Sequence, residues 1–397
     1  MKVLQISANW GHGGPGSVEK DIYCTLAEAG HKCVIAYGRG SVPPEIESYR
    51  IGKKIDNYIH YAAATLFDKA GFSSTNPTKK LIAYIQSIKP DVIQLHNLLG
   101  YYINIDVLFS YLKNCGIPVV WTIHDCWPIT GHCINFERVV CEKWKTECRE
   151  CELTHDYPRA LVDRSGNNLR KKKELLSGMR NLTLVAPSRW LENMLKQSYL
   201  SQYDIKVINN GIDLSLFKPT DSDYREKYGL GEKKILLFVA SVWNEMKGLN
   251  LIQELSQIVS PDCKIVIIGK NSEFVSGENV LTFGRTNDVS ELVKWYSAAD
   301  VFVNPTLGDN FPTVNIEALA CGAPVVTNAT GGSPEIPGEE CGGICYSKTA
   351  SELYQRINEI ISKKIDKTKC TQRAGIFERS KCYRQYIDLY ERLLISK

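Results

Sequence analysis

The 397-residue chain contains no run of eighteen or more apolar residues, so the sequence offers no candidate for a membrane-spanning helix. It also lacks a large excess of either charge: 48 Lys and Arg stand against 44 Asp and Glu, a net +4 too slight and too scattered to imply nucleic acid. The opening "MKVLQISANW" has no signal-peptide pattern and enters a strand at once, so the expected location is cytoplasmic, with peripheral contact at the inner face of a membrane. What is present is ample apolar material, 44% of the residues, enough for real cores in the two to three domains that this length implies. Fourteen cysteines in a long chain without an export signal read by default as reduced thiols.

Short β-branched runs recur along the first half: "KVLQIS", "KCVIAYG", "DVIQLHN", "PVVWTIHD", "LTLVAPS" and "DIKVINNG". The second half repeats the scheme with "KILLFVAS", "CKIVIIG", "NVLTFG", "DVFVNPT", "PVVTNA" and "GGICYS". Runs that are apolar at nearly every position suit parallel strands buried on both faces, with crossover helices between them. The expected fold class is therefore α/β, two doubly wound domains that change over near residues 185–217, with boundaries at 1–200, 201–375 and a final helix 376–397 packing back on the first. Ligands of such sheets bind beyond the carboxyl ends of the strands, which singles out the residues that end each run.

One stretch, "GDNFPTVNIEALACGA" at 308–323, sets Asp309 in a Gly/Asn/Pro loop and Glu317 inside an otherwise apolar helix. If Pro312 takes the first helical position, Asp309 precedes the helix and Glu317 sits more than a turn inside it. Free N–H groups and a positive dipole end make a helix start an anion site. Asn310, Phe311, Pro312, Thr313 and Val314 form one such start. Gly13 and Gly14 in "NWGHGGPGSVEKDI" form another, although their spacing is not that of the G-x-G-x-x-G fingerprint. Lys247, beside Gly248 in "NEMKGLN", adds a cation that alone would read as a solvated lysine. Glu317 changes the weighing, because a carboxylate accepts both hydroxyls of a ribose while Lys247 and the helix amides hold a diphosphate.

Taken together, "GHGGPGSVEKDI", "TIHDCW", "APSRWLENML", "NNGIDLSLFKP", "MKGLN", "WYSAADVFVNPT" and "DNFPTVNIEALACGAPVVTNATGGSPE" resemble the retaining glycosyltransferases of family 4, which have the two-domain GT-B architecture. "HNLLGYYINIDVL" and "TGHCINFERVVCEKWKTECRECE" are similar to the branch that builds colanic acid, capsule or O-antigen chains. The resemblance implies an acceptor-binding domain followed by a nucleotide-sugar domain, two Rossmann-like units facing a cleft. It also implies that Glu317 binds the donor ribose, Lys247 the diphosphate and Asp309 the hydroxyls of the transferred sugar, with His124 near the anomeric carbon. The family usually has glutamate in place of Asp309 and an arginine in place of Val242, for which Arg285 or Arg189 would compensate. Donors would be UDP- or GDP-linked sugars, and the acceptor a glycan or lipid-diphosphate-linked oligosaccharide.

The implied chemistry needs no cofactor, since fixed cations and amides stabilise a departing diphosphate, and no Asp-x-Asp metal motif stands in the expected cleft loops. Attack from the leaving-group face, with a phosphate oxygen taking the proton, retains configuration without a protein nucleophile. A phosphorylase of this architecture remains an alternative, though it would be expected to carry a pyridoxal phosphate lysine in a much longer chain. A non-catalytic nucleotide-sugar binder is another, though it need not keep His124 together with Asp309.

Five cysteines lie between 126 and 151. Cys133, Cys141, Cys148 and Cys151 could form a structural Zn²⁺ site around the C-x-x-C bite, a cluster of reduced thiols, or a redox pair. On the acceptor side, His96, Asn97, Tyr101 and Arg189 are the candidates. The basic run "RSGNNLRKKKELLSGMRN" and the segment "LLGYYINI" together suit a lipid diphosphate at a membrane surface.

Overall fold

A computed structural model describes residues 1–11 and 13–395. The chain divides into two compact units, one made of 1–209 with 382–397 and the other of 210–381. In the first unit, seven parallel strands run in the order β3-β2-β1-β4-β5-β6-β7: β1 (Lys2–Asn9), β2 (Lys32–Arg39), β3 (Ser48–Arg50), β4 (Val92–Leu95), β5 (Val119–Thr122), β6 (Leu182–Ala186) and β7 (Asp204–Val207). The second unit has six parallel strands in the order β10-β9-β8-β11-β12-β13. They are β8 (Lys234–Val242), β9 (Cys263–Lys270), β10 (Val280–Phe283), β11 (Val301–Asn304), β12 (Val325–Asn328) and β13 (Gly342–Cys345).

Both sheets are covered on both faces, which is why the central strands carry apolar residues without alternation: every residue of β4, β5, β6, β11 and β12 is buried. Strand order reverses between β1 and β4 in the first sheet and between β8 and β11 in the second. At such a reversal the crossovers leave on opposite faces, so the loops after the two central strands part and leave room for a ligand.

The first unit extends past the expected end at 200, because β7 pairs with β6 in register Thr183↔Asp204 to Ala186↔Val207 and completes that sheet. The final helix, Arg379–Ile395, carries Tyr383, Tyr386, Ile387 and Tyr390 into the first unit's core beside Val3, Val18 and Ile22. Two of its tyrosines also bond to sheet side chains: the Tyr386 and Thr122 hydroxyls meet at 2.9 Å, and the Tyr390 hydroxyl donates to Gln94 Oε1 at 2.8 Å. Among the described residues no helix is long and apolar enough to cross a membrane.

Candidate active site

In the second unit, the loops after β8 and β11 are laced together. Asn244 caps a short turn, Glu245–Lys247, by accepting from Lys247 N–H at 3.0 Å. Gly248 follows at φ +83°, and a Cβ there would overlap the Pro305 carbonyl, so glycine lets the two loops touch. Leu307 N–H donates to the Met246 carbonyl at 2.8 Å, and the Thr306 hydroxyl reaches the same oxygen at 3.2 Å. This lacing sets Lys247 Nζ 2.7 Å from Asp309 Oδ2, across 62 residues of sequence. The two groups that the resemblance assigns to diphosphate and sugar are thus paired with each other.

Pro312 caps the helix Thr313–Ala320 from just outside it, one position earlier than expected, and Glu317 stands on its second turn. Tyr296 donates its hydroxyl to Glu317 Oε2 at 3.0 Å, and burial raises the Glu317 pKa while bonds from Tyr296 and Thr313 oppose that rise. One carboxylate oxygen is therefore oriented by Tyr296, and the acceptor capacity left over is what a ribose diol would use. Phe311, expected at the donor, is a core residue: it is 4% exposed and packs edge-on against Phe377. Asn310 shapes the loop through its carbonyl, which accepts from Gly332 N–H at 3.1 Å. Gly331, at φ +54°, lies so close that a Cβ would overlap the Asp309 carbonyl, so the segment after β12 buttresses the acid.

Arg285 is exposed on the loop after β10, the edge strand two places from β8. A cation that sequence reasoning passed over stands nearer: Lys270 ends β9 in direct register with Val242, the position where the resemblance implies an arginine. Trp243 fixes this corner, with its N–H donating to the Lys270 carbonyl at 2.9 Å and its indole to the Ile268 carbonyl at 3.1 Å. The sign available in sequence was the exposed lysine closing an apolar strand; the register that places it came only with the fold.

In the first unit, the loop after β1 folds tightly where Gly11 N–H donates to the Gly16 carbonyl at 3.1 Å. A Cβ on Gly13 or Gly14 would meet nothing within 4 Å, so both open onto free space at the start of the helix Gly13–Glu28. His96 is not an acceptor contact: it is 1% exposed and lies under His124. Gln5 gives its amide N–H groups to the Glu19 carbonyl and Cys33 Sγ, so its Oε1 accepts from His96 Nε2 at 2.8 Å. His96 Nδ1 then accepts from His124 Nε2–H at 3.2 Å, which leaves His124 Nδ1 as that ring's acceptor. Burial pushes His124 down to about 3 and His96 well below the ordinary range, and a proton on His124 would lower His96 further. Asn97 caps its own turn by accepting from Leu99 N–H, and Arg189 opens the helix Arg189–Lys196 at the surface.

The expected acceptor surface is changed in two places. "LLGYYINI" is interior, with Leu98, Leu99, Tyr101, Tyr102 and Ile103 all buried. From the basic run, Lys172 is fully buried with Nζ on the Trp127 and Thr130 carbonyls, 3.6 Å from the Trp127 ring centroid, and burial lowers its pKa to about 7. Helical period alone could not tell this lysine from its solvated neighbours. Cys133, Cys141, Cys148 and Cys151 do line one small cavity with Trp144, and Cys148 Sγ accepts from Gly131 N–H at 3.3 Å. A bond from Cys133 lowers the Cys151 thiol to about 7. Among the described residues no three His, Cys, Asp or Glu side chains are grouped so as to hold a metal ion.

Two doubly wound units, each with a strand-order reversal at its centre, define the GT-B fold. The chain belongs to glycosyltransferase family 4: that family's profile matches residues 12–216, and the profile of glycosyl transferases group 1 matches 233–363. It is 24% identical over 412 residues to the putative colanic acid biosynthesis glycosyl transferase WcaC of Escherichia coli K12, covering 99% of this chain and 100% of that protein. It is 28% identical over 296 residues to an uncharacterized glycosyltransferase of Methanocaldococcus jannaschii, covering 69% and 67% of the two. Among solved structures, sucrose-phosphate synthase from Thermosynechococcus elongatus shares the fold at TM-score 0.75 and 18% identity over 100% of both chains. Anabaena Alr3699/HepE in complex with UDP-glucose does so at 0.67 and 16%, over 99% of this chain and 100% of that one.

Proposed function

We propose that this glycosyltransferase is retaining and metal-independent, and that it moves a hexose from a UDP- or GDP-linked sugar to a lipid-linked acceptor in cell-surface polysaccharide assembly. The observation that carries the reading is the Lys247–Asp309 pair held between the ends of β8 and β11, beside the helix that bears Glu317. An arriving diphosphate competes for the Lys247 ammonium, and Asp309, released from it, becomes an acceptor for sugar hydroxyls. As the glycosidic bond breaks, negative charge grows on the diphosphate, where Lys247 and the first amides of Thr313–Ala320 stabilise it. The acceptor hydroxyl attacks from that same face and passes its proton to a phosphate oxygen. His124 is a neutral ring with Nδ1 as acceptor, and the resemblance to the family assigns it to the anomeric carbon. The full-length likeness to WcaC supports the polysaccharide assignment, and the UDP-glucose complex of HepE supports the donor class.

The test is the product's anomeric configuration, read from the anomeric proton coupling of fresh product made in EDTA. Retained configuration with activity intact is expected. Inverted product excludes same-face attack, and activity lost in EDTA but restored by Mg²⁺ or Mn²⁺ excludes the metal-free account.

Glu317→Gln keeps an acceptor for the Tyr296 hydroxyl while removing the charge offered to the ribose. It should weaken nucleoside diphosphate binding by about 10- to 100-fold in calorimetry, the range for a charged hydrogen bond, with the melting temperature little changed. Unchanged affinity would remove Glu317 from the donor site.

A further inference from the structure

The helix Lys54–Phe67 turns its apolar side outward. Its buried residues are His60 and Ala64, whereas Ile55, Tyr58 and Ile59 are 58%, 68% and 61% exposed. At 100° per residue, Tyr61, Tyr58, Ala62, Ile55, Leu66 and Ile59 fall within an arc of about 160°, and all six are exposed. A helix on the surface of a water-soluble domain carries its polar residues there instead.

Basic residues flank this stripe at both ends. Lys53 and Lys54 stand exposed at its start and Lys69 just past its end. Of the nearby acids, Asp56 is engaged with Lys53 N–H at 2.7 Å, and Asp68 is buried against His132 at 2.7 Å. Beside the helix start, a cavity of about 680 Å³ is lined by Arg39, Arg50, Lys54, Tyr58, Tyr61 and Tyr101. Asn57 fixes one wall by donating to the Tyr101 carbonyl at 3.0 Å, and the Arg39 guanidinium lies 5.9 Å from the Tyr101 ring centroid.

We infer that this outward face docks on an anionic lipid bilayer, with Ile55, Ile59 and Leu66 entering the acyl boundary, Tyr58 and Tyr61 at the headgroup level, and Arg39, Arg50 and Lys54 holding a lipid phosphate. Apolar and aromatic residues on one face with lysines at both ends are what an interfacial helix needs, and the charge is complementary to anionic headgroups. The inference rests on the reading that the acceptor is lipid-linked, and it moves the membrane contact from the basic run 164–181, where Lys172 is buried, to residues 53–69.

Flotation of the full chain with vesicles tests it, using phosphatidylcholine alone and phosphatidylcholine with phosphatidylglycerol. The protein should float with the anionic vesicles only. Ile55→Ser/Ile59→Ser and Lys53→Glu/Lys54→Glu should each lower partitioning by at least about tenfold, with circular dichroism and nucleoside diphosphate affinity unchanged. Variants that float like the wild type, a wild type that stays unbound, or equal binding to neutral vesicles overturn the inference. A dimer in sedimentation that Ile55→Ser/Ile59→Ser converts to monomer would assign the face to a second copy and overturn it too. Failure of nucleotide binding alone, with flotation intact, would strike the proposed function and leave the docking face standing.

Discussion

Lys247→Ala should lower kcat by about 10²- to 10³-fold, the usual cost of removing one fixed group that stabilises charge developing in the transition state. The loss should appear about equally in kcat and kcat/KM, because the charge on the diphosphate grows as the glycosidic bond breaks and the ground-state donor feels less of it. The melting temperature should hardly move, since Lys247 keeps 37% of its side chain in solvent and an ion pair so exposed adds little stability. The variant also strips Asp309 of its counter-ion and leaves a bare carboxylate beside incoming phosphates. Lys247→Ala/Asp309→Asn should therefore fall short of the sum of its single variants, a coupling that a double-mutant cycle reads directly. A rise in KM with kcat intact would place Lys247 in ground-state binding alone.

The first unit should lose stability on mild acidification. Burial lowers His60 to about 4 and His124 to about 3, and holds His96 well below the ordinary range. For a base whose folded pKa is depressed, the unfolded chain takes the proton first, so the stability is complete above about pH 6.5 and is lost as pH falls towards the folded values. Two carboxyls oppose this: burial raises Glu19 and lifts Asp125 to about 6, and each keeps a proton when folded that the unfolded chain has released. With three histidines depressed against two carboxyls raised, the histidine effect leads, and stability should fall as pH drops from about 6 to 4.5. Denaturant midpoints followed across that range check the slope. His60→Gln should flatten it and Glu19→Gln should steepen it; a wild-type slope of zero would remove the neutral-histidine account. Because the readout is a slope, it holds even if either variant lowers stability at neutral pH.

Local sequence determined the strands, because a strand covered on both faces must be apolar throughout, and all twelve runs read that way lie in the two sheets. Only β3 escaped, being three residues long and none of them buried. The helix start after Pro312 and the loop acid before it were equally legible, since capping chemistry is a matter of neighbours in sequence. Tertiary structure alone decided the rest. Strand order, and with it the reversal that opens a site between β8 and β11, depends on which crossovers pack on which face. The Lys247–Asp309 pair joins residues 62 apart, and the register that brings Lys270 to Val242 is a property of two strands together. Burial of Lys172 and outward exposure of Ile55, Tyr58 and Ile59 both invert what residue type predicts. A helical period says which residues share a face, and only the packed neighbours say whether that face meets core, water or a bilayer.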